Sequence, residues 1–441
     1  MAEHAAAAHT VPVTVTELCR TLIRFDTTNH GGGHSAGERE AAEFVATQLS
    51  DVGVEPVLLE RAPRRSNVIA RVPGTDPTLP ALLVQGHLDV VPAVAEDWSL
   101  PPFSGEIAGG YLHGRGATDM KDFCAMMLSV LHGWASTGSR PHRDVVFAFV
   151  ADEEDQSYYG AHWLVDEHPD LFAGCTASIS ESGAFTHHAG GLRLYPIGTA
   201  ERGTAHLRLT ALGRAGHGSR RNEQNAVVRL VLALTRLSEH RWPVVLTPTV
   251  RAFCERTAAA LGLPADLVAQ DTVDELVRRF GAAAPLVENT VRNSTTPTVL
   301  SAGYKVNVIP GTAQADVDVR VLPGTEEGLL AVVDELLGDD VTREFIAHQP
   351  PVQAPVDSIW FDAMAAALAA EDEDAVVVPY CMGGGTDAKA FSQLGMDCYG
   401  FAPLWIPEGF DYRAMAHGVD ERVPVEGLEF GTRVLARFLS G

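Results

Sequence analysis

Four short segments of the sequence hold histidine or acidic side chains in patterns that suit metal chemistry. They are residues 86–89 (GHLD), 114–122 (GRGATDMKD), 152–155 (DEED) and 180–183 (SESG). Imidazole nitrogens and carboxylate oxygens bind divalent metal ions, and a carboxylate beside such ions can act as a general base in hydrolysis. A further candidate, His417, lies far along the chain.

Each candidate taken alone has a simpler explanation. The pair His87 and Asp89 fits an ordinary polar turn, and Thr118 or Asp119 fits a cap for the helix that follows. The acidic run at 152–155 fits a solvated loop, and a lone histidine is more often structural than a metal ligand. None of these segments identifies a site by itself.

Taken together, the segments and His417 supply two imidazoles and three carboxylates as metal ligands, which is enough for two metal ions. Adjacent glutamates point to different sides, so Glu154 can bind metal while Glu153 faces the attacking water as a base. Asp89 can hold the second nitrogen of His87, as carboxylates do for metal-binding imidazoles. Mixed nitrogen and oxygen ligands favour Zn²⁺, with Co²⁺ or Mn²⁺ as substitutes.

The predicted strands that precede these residues in the sequence indicate how the fold positions them. Short apolar runs at 81–85, 144–151 and 175–180 predict buried strands, and helices are predicted at 122–136 and 159–167. Alternating helices and apolar strands indicate an α/β domain with a mainly parallel sheet. Ligand-binding residues gather at the carboxyl ends of the strands in such sheets, so we expect the segments to converge.

The pattern changes after residue 201. Residues 204–212 alternate apolar and polar side chains, as a half-exposed antiparallel strand does. The predicted order is strand 204–212, helix 225–239, strands 299–303 and 314–321, helix 326–337 and strand 341–348. This β-α-β-β-α-β order predicts a ferredoxin-like domain, interrupted by an insertion at 247–297 that is helical over 266–280. We expect a discontinuous catalytic domain (1–201 and 350–441) around an inserted lid domain (202–349).

Composition excludes several classes of protein. The 441 residues include 33 Lys and Arg against 57 Asp and Glu, for a formal net charge of −24, and 46% are apolar. This acidity argues against nucleic-acid and anionic-membrane partners, and the apolar fraction argues against disorder. The six scattered cysteines form no C-x-x-C pair, residues 1–15 lack the features of a signal peptide, and no apolar run is long enough for a membrane span. We therefore expect a cytoplasmic protein.

The ordered motifs resemble the di-zinc metallopeptidase family of aminoacylase-1, glutamate carboxypeptidase and succinyl-diaminopimelate desuccinylase over essentially the whole chain. Besides the segments above, the resemblance rests on WSLPPF at 98–103, GHGS at 216–219, NVIPG at 307–311, DVR at 318–320 and GGGTDA at 383–388. It implies a phosphorylase/hydrolase-like catalytic domain and a ferredoxin-like lid. A homodimer formed through the lid is consistent with the resemblance, whereas several relatives work as monomers.

The resemblance also implies a role for each metal ligand. His87 and Glu181 would hold one zinc, Glu154 and His417 would hold the other, and Asp119 would bridge the two.

Further residues receive catalytic and substrate-binding roles from the same resemblance. Asp89 would orient His87, Glu153 would be the general base, and His217 on the lid would polarise the scissile carbonyl, in relatives often across a dimer interface. The substrate carboxylate would be held by Asn307, Arg320, Gly384, Gly385 and Thr386.

The expected activity is hydrolysis of an amide or peptide bond next to a free carboxylate, in a small molecule or short peptide. Glutamate at position 181 accompanies acylases, carboxypeptidases and desuccinylases in the family, whereas aspartate accompanies aminopeptidases and dipeptidases. A dipeptidase or aminopeptidase on the same site is the alternative. A non-catalytic binding module is disfavoured because every proposed ligand and the base are present.

Overall fold

The computed structural model describes residues 13–441. Residues 1–12 lie outside that range. They make up most of residues 1–15, the segment to which the signal-peptide prediction refers. Within it the α-helices are α1 (Val15–Arg24), α2 (Arg39–Asp51), α3 (Lys121–Thr137), α4 (Ala161–Glu167), α5 (Ala226–Glu239), α6 (Pro248–Ala260), α7 (Val273–Arg279), α8 (Glu326–Leu337), α9 (Ile359–Glu371), α10 (Ala388–Phe391) and α11 (Val425–Ser440).

The strands of the same residues are β1 (Val57–Ala62), β2 (Arg65–Val72), β3 (Ala81–His87), β4 (Glu106–Ala108), β5 (Tyr111–His113), β6 (Val145–Val150), β7 (Cys175–Ser180), β8 (His187–Ala189), β9 (Leu192–Glu201), β10 (Gly203–Leu212), β11 (Gly216–His217), β12 (Ser294–Ala302), β13 (Val308–Ile309), β14 (Thr312–Val321), β15 (Val341–Gln349), β16 (Val352–Gln353), β17 (Ala375–Met382), β18 (Asp397–Gly400) and β19 (Arg422–Pro424).

The described residues form two compact units. One contains the chain up to Glu181 together with Ala366–Glu373 and Ala402–Gly441, and the other contains Ser182–Ala365 and Asp374–Phe401. Among residues 13–441, none of the helices combines the length and the apolar character that a membrane crossing requires.

The first unit is an α/β structure, as predicted. Its strands lie in the order β1-β2-β6-β3-β7, with β6, β3 and β7 parallel and β1 and β2 antiparallel at one side. Every residue of β3 and β6 is buried, which explains why both read as continuous apolar runs. Helix α3 packs against α1 and α11, and α2 packs against β2. The parallel strands end at one edge of the sheet, which is where the acidic segments begin.

Part of the second unit is the predicted ferredoxin-like domain. Strands β12-β14-β10-β15 form an antiparallel sheet in that order, and α5 and α8 pack together beside it. Burial alternates along β14, so one face of the sheet contributes to a core with both helices. The β-α-β-β-α-β prediction is therefore confirmed.

The rest of the second unit differs in detail from the expectation. Strand β9 pairs in parallel with β17, and α6 packs on both strands. The helix expected over 266–280 is confirmed only in part, because α7 and a short 3₁₀ turn at Ala265–Leu267 form there rather than one continuous helix. The strand expected at 299–303 begins earlier, at Ser294. Its register shifts between Pro297 and Val299, because proline cannot donate a hydrogen bond to the sheet.

Candidate functional site

All the proposed metal ligands lie in the first unit. His87 is the last residue of β3, Glu154 lies in a 3₁₀ turn after β6, and Glu181 follows β7 directly. Asp119 lies in the loop before α3, and His417 lies in the loop before β19. The ends of three parallel strands and two loops thus bring together residues that are far apart in the sequence.

Asp119 lies between the two histidines. Its Oδ1 atom is 3.1 Å from Nε2 of His87, and its Oδ2 atom is 3.2 Å from Nε2 of His417. Nε2 of His417 is also 3.1 Å from Oε2 of Glu154, and Nε2 of His87 is 3.9 Å from Oε1 of Glu181. A carboxylate with one oxygen towards each imidazole has the arrangement needed to bridge two cations.

The hydrogen bonding of His87 indicates which ring nitrogen is free for a metal. Its Nδ1 atom lies 2.9 Å from the backbone carbonyl of Asp89, which can only accept a hydrogen bond. Nδ1 therefore carries the proton, and in the neutral ring Nε2 presents a lone pair towards the carboxylates of Asp119 and Glu181. A lone pair facing two carboxylates requires a positive charge between them.

The pKa values of the two histidines also indicate that positive charge is favoured at this site. Burial by itself lowers the pKa of His87, but the hydrogen bond to Asp119 and the charges of Glu181 and Glu153 raise it well above the usual value. Hydrogen bonds to Asp119 and Glu154 raise the pKa of His417 to about 10. Both imidazoles thus attract a proton to the positions where a bound cation would lie.

The donor atoms present fit a pair of metal ions. The groups His87, Asp119 and Glu154, and separately His87, Glu153 and Glu181, each bring one donor atom per residue within 4.8 Å of the others. The Oε1 atom of Glu154 is buried and has no hydrogen-bond partner among the described residues, which a cation would supply. Two imidazoles with several carboxylates suit zinc, cobalt or manganese.

The carboxylate of Asp89 holds the acidic turn. It accepts hydrogen bonds from the backbone N–H groups of Glu153 at 3.1 Å and Glu154 at 3.3 Å, and from the side chain of Asn29 at 2.9 Å. Its Oδ1 atom is 3.6 Å from Nδ1 of His87. Asp89 therefore contacts both His87 and the segment that carries the proposed base.

Asp152 shows that the acidic run is not simply a solvated loop. Its side chain is buried, and its backbone is left-handed with a φ of 72°. Its carboxylate accepts hydrogen bonds from Arg65 at 2.6 Å, Asn29 at 3.0 Å and the N–H of Tyr159 at 3.0 Å, and Arg65 also binds the buried Glu38. This buried hydrogen-bond network holds the acidic turn in place. It was not predicted from the sequence.

Glu421 is a second residue that sequence reasoning missed. Its buried carboxylate accepts hydrogen bonds from Arg115 at 2.7 Å, the N–H of Gly116 at 3.0 Å, and the N–H and hydroxyl of Thr118 at 2.7 and 3.0 Å. Helix α3 begins without a side-chain cap, so the capping explanation for Thr118 and Asp119 is wrong. An acid four residues after His417 is the sequence signal that could have drawn attention to Glu421.

His217 lies at the end of β11 in the second unit and is exposed. Its Nδ1 atom is 2.8 Å from the hydroxyl of Ser219 and accepts a hydrogen bond from the backbone N–H of Ser219 at 3.2 Å. A backbone N–H can only donate, so Nδ1 carries no proton and the neutral ring is protonated on Nε2. Nε2 is therefore a hydrogen-bond donor, which is what a histidine needs in order to polarise a carbonyl group.

The structure places the predicted substrate-binding residues in the second unit as well. Asn307 lies beside the His217 strand, because its carbonyl accepts from the N–H of Gly218 at 2.9 Å. Arg320 on β14 donates to both oxygens of Asp318, at 2.7 and 3.2 Å, and to Thr204.

The loop that contains Gly384, Gly385 and Thr386 is tied to β9. The buried carboxylate of Glu201 accepts hydrogen bonds from the N–H of Thr386 at 3.1 Å and from its hydroxyl at 2.6 Å. Burial raises the pKa of Glu201, a rise opposed by the nearby Lys389. The side chain of the following residue, Arg202, donates to the carbonyl of Arg320 at 3.3 Å. The adjacent residues Glu201 and Arg202 therefore connect the loop to the backbone of Arg320.

The sequence matches known proteins over most of its length. A model of peptidase family M20/M25/M40 matches residues 83–441. The human N-fatty-acyl-amino acid synthase/hydrolase PM20D1 is 28% identical over 382 residues, which cover 81% of this chain and 73% of the relative. Human aminoacylase-1 is 27% identical over 412 residues, which cover 91% of this chain and 90% of that protein.

A solved structure has the same fold. The M20 family metallo-carboxypeptidase Sso-CP2 from Sulfolobus solfataricus matches with a TM-score of 0.70 at 16% identity, over 97% of this chain and 99% of that chain.

Proposed function

The chain belongs to peptidase family M20/M25/M40, and we propose that it hydrolyses an amide bond beside a free carboxylate. Its membership makes it a metal-dependent hydrolase of amide or peptide bonds. The observation that carries the proposal is Asp119, with one oxygen towards His87 and the other towards His417. An N-acyl amino acid, or a peptide cleaved at its carboxyl end, is the proposed substrate class.

The proposed cofactor is a pair of Zn²⁺ ions, for which Co²⁺ or Mn²⁺ would substitute. His87 and Glu181 would hold one ion, and Glu154 and His417 would hold the other. Asp119 would contribute a ligand to both ions. When bound, such ions act as Lewis acids that activate a water molecule and polarise the amide carbonyl.

The side chains of the protein would carry the proton transfers. The carboxylate of Glu153 would take a proton from the attacking water and deliver it to the nitrogen of the leaving amine. Asp89 supports this by fixing the backbone of Glu153. The Nε2–H of His217 would donate to the carbonyl oxygen as negative charge develops there.

The substrate carboxylate would be recognised by residues of the second unit. Arg320 suits this role because a guanidinium group binds carboxylates through two parallel hydrogen bonds. Asn307, Gly384, Gly385 and Thr386 would complete the site with polar side-chain and backbone groups. The names of the two human relatives, which refer to acyl-amino acids and to aminoacylase, support an N-acyl amino acid.

A hydrolysis screen tests the proposal. The protein is dialysed against a chelator, reloaded with zinc, cobalt or manganese, and assayed on N-acyl amino acids and free dipeptides. We expect two metal ions per chain, activity lost with the metal, and hydrolysis of N-acyl amino acids. Hydrolysis only of substrates with a free α-amine would instead establish the dipeptidase or aminopeptidase alternative, and a metal-loaded protein inactive on every compound would refute the proposal.

We also propose a homodimer formed through a lid domain over residues 202–349. Edge strand β12 exposes Val299 and Leu300, and α5, which contacts β12, exposes Val231 and Leu232. An edge strand with apolar side chains is a template for pairing with another copy. Light scattering should give the mass of a dimer, and Leu300→Lys should shift it to a monomer, whereas a monomeric wild type would overturn this proposal.

A cytoplasmic location stays a proposal, supported by the six cysteines, all of which are free thiols.

A further inference from the structure

A cavity of about 520 Å³ lies against His217 within the second unit. Three arginines, Arg214, Arg220 and Arg221, line it, and the acidic residue in its wall is Glu223. The local charge is therefore opposite in sign to that of the chain, which has 57 acidic and 33 basic residues. A cavity with excess positive charge in an acidic protein is suited to an anion.

Two of the three guanidinium groups are available to a ligand. Arg221 pairs with Glu223 at 2.7 Å. The side chains of Arg214 and Arg220 are exposed, and neither makes a hydrogen bond or an ion pair with any residue of 13–441. Unpaired guanidinium groups provide several N–H donors that match the oxygens of a carboxylate or phosphate.

Backbone hydrogen bonds order the rim of the cavity. The N–H of Arg220 donates to the carbonyl of His217 at 2.9 Å, and the N–H of Arg214 donates to the carbonyl of Gln224 at 2.8 Å. The side chain of Asn222 donates to the carbonyl of Arg214 at 2.6 Å. Both arginines are thus attached to a hydrogen-bonded turn that also carries His217.

We propose that this cavity binds an anionic group on the substrate, additional to the carboxylate beside the scissile amide. The inference rests on the proposed function, because His217 would contact the scissile carbonyl and the arginines lie next to His217. The substrate would then be an amide with a second acidic group, on the acyl chain or on the amino-acid side chain. A long aliphatic acyl group fits poorly, because Ala215 and Ile309 are the apolar side chains among the lining residues.

Matched substrates test the proposal. N-succinyl-alanine is compared with N-butanoyl-alanine, and N-acetyl-glutamate with the nearly isosteric N-acetyl-glutamine, using the metal-loaded enzyme. We expect kcat/KM to be higher for the acidic member of at least one pair by about 10-fold or more, the usual value of charge-assisted hydrogen bonds. Equal kcat/KM values within both pairs would overturn the proposal while leaving the proposed function intact.

Arginine variants locate the effect. The double variant Arg214→Gln/Arg220→Gln should reduce the ratio of acidic to neutral kcat/KM to about one. Arg241→Gln, at another exposed arginine of the same unit, should keep the wild-type ratio. A double variant that retains the wild-type ratio would place the anion elsewhere and overturn the proposal.

Binding without turnover separates this inference from the proposed function. Succinate is titrated into metal-loaded wild type and double variant by calorimetry, with butanoate as the reference. Tighter binding of succinate than butanoate, lost in the double variant, would support the cavity even if none of the amides were hydrolysed. Equal binding of succinate to both proteins would overturn it even if hydrolysis were found.

Discussion

The buried carboxylate of Glu421 accepts two hydrogen bonds from Thr118, one from its backbone N–H at 2.7 Å and one from its hydroxyl at 3.0 Å. Thr118 immediately precedes Asp119, the residue between the two histidines. Arg115, which also binds Glu421, donates to the carbonyl of His417 at 3.4 Å. One acidic side chain therefore holds the loop of Asp119, the proposed bridging carboxylate, and contacts, through Arg115, the loop of His417.

Replacing Glu421 should weaken metal binding although Glu421 is not one of the proposed ligands. In Glu421→Gln one carboxylate oxygen becomes an amide NH₂, which cannot accept the hydrogen bonds of Thr118 or Arg115. We expect metal affinity to fall about 10- to 100-fold, the usual effect of losing such a supporting contact. The measurement is a chelator-competition titration on protein shown to be folded by circular dichroism.

The neighbouring Asp420 supplies the control for this test. Its carboxylate accepts hydrogen bonds from the N–H and hydroxyl of Ser99 at 2.7 and 2.8 Å, near the surface. Asp420→Asn should keep the wild-type metal affinity. If Glu421→Gln bound metal as tightly as Asp420→Asn, Glu421 would have a role in folding alone.

The convergence of the proposed metal ligands could be predicted from the sequence, whereas the residues that support them could not. His87, Glu154 and Glu181 each follow an apolar strand, so local pattern and the geometry of parallel sheets indicate that they meet. The partners of Arg115 and Asp152 are Glu421 and Arg65, which are distant in sequence and carry no local signal. Such pairs become evident only when the fold brings them together.

The same distinction applies to the fold. Strands β3 and β6 were predictable because both faces are buried, and residues 81–84 of β3 and all of β6 are apolar. Strand β9 was missed because it contains Pro196, Gly198 and Glu201 and is stabilised by pairing with the distant β17. Its burial depends on tertiary contacts, which a local pattern does not contain.

Asp318 should determine how well Arg320 binds a substrate carboxylate. Because Asp318 accepts from Nε and one terminal nitrogen of Arg320, it fixes the plane of the guanidinium group. Asp318→Asn should raise KM for N-acyl amino acids by about 10-fold, with a smaller change in kcat, since one charge-assisted contact is lost. Steady-state kinetics on the metal-loaded enzyme measure this.

The same strand offers a matched control. Asp316 forms an equivalent two-point pair with Arg208, at 2.9 and 3.0 Å, and Arg208 has no proposed role in binding. Asp316→Asn should leave KM near the wild-type value. Equal increases in KM for both variants would indicate that a general effect on the sheet, rather than Arg320, is responsible.

Glu153 should be needed for turnover and not for metal binding. Glu153→Gln keeps the size of the side chain and removes its ability to take a proton, so kcat should fall about 10²- to 10⁴-fold while two metal ions remain bound. Asp155→Asn, in the same turn, should stay close to wild type. Metal analysis by mass spectrometry and kcat are measured together, and loss of one ion in Glu153→Gln would make Glu153 a ligand instead.

The last prediction concerns stability and pH, away from the metal ligands. Glu371 at the end of α9 accepts hydrogen bonds from Arg433 at 2.9 Å and Arg437 at 2.6 Å on α11. Burial opposes ionisation of this carboxyl, but the two guanidinium groups prevail and hold its pKa below the ordinary value of 4.5. Because the pKa is lower in the folded protein, the ionised group stabilises the fold above about pH 4.5, and the contribution is lost as the pH falls through the folded-state pKa.

Glu371→Gln should therefore lower Tm at pH 7 by about 1–2 °C, as expected for an ion pair whose two arginines are exposed in a chain of this size. The difference from wild type should stay constant from pH 7 to about pH 5 and shrink as the pH is lowered further, because the carboxyl is protonated first in the unfolded chain and then, through its lowered pKa, in the folded protein. Glu429→Gln, at an exposed glutamate on α11, should leave Tm unchanged at every pH. Differential scanning calorimetry of the three proteins across this range measures the effect, and a Tm difference that stays constant with pH would show that Glu371 acts through packing rather than charge.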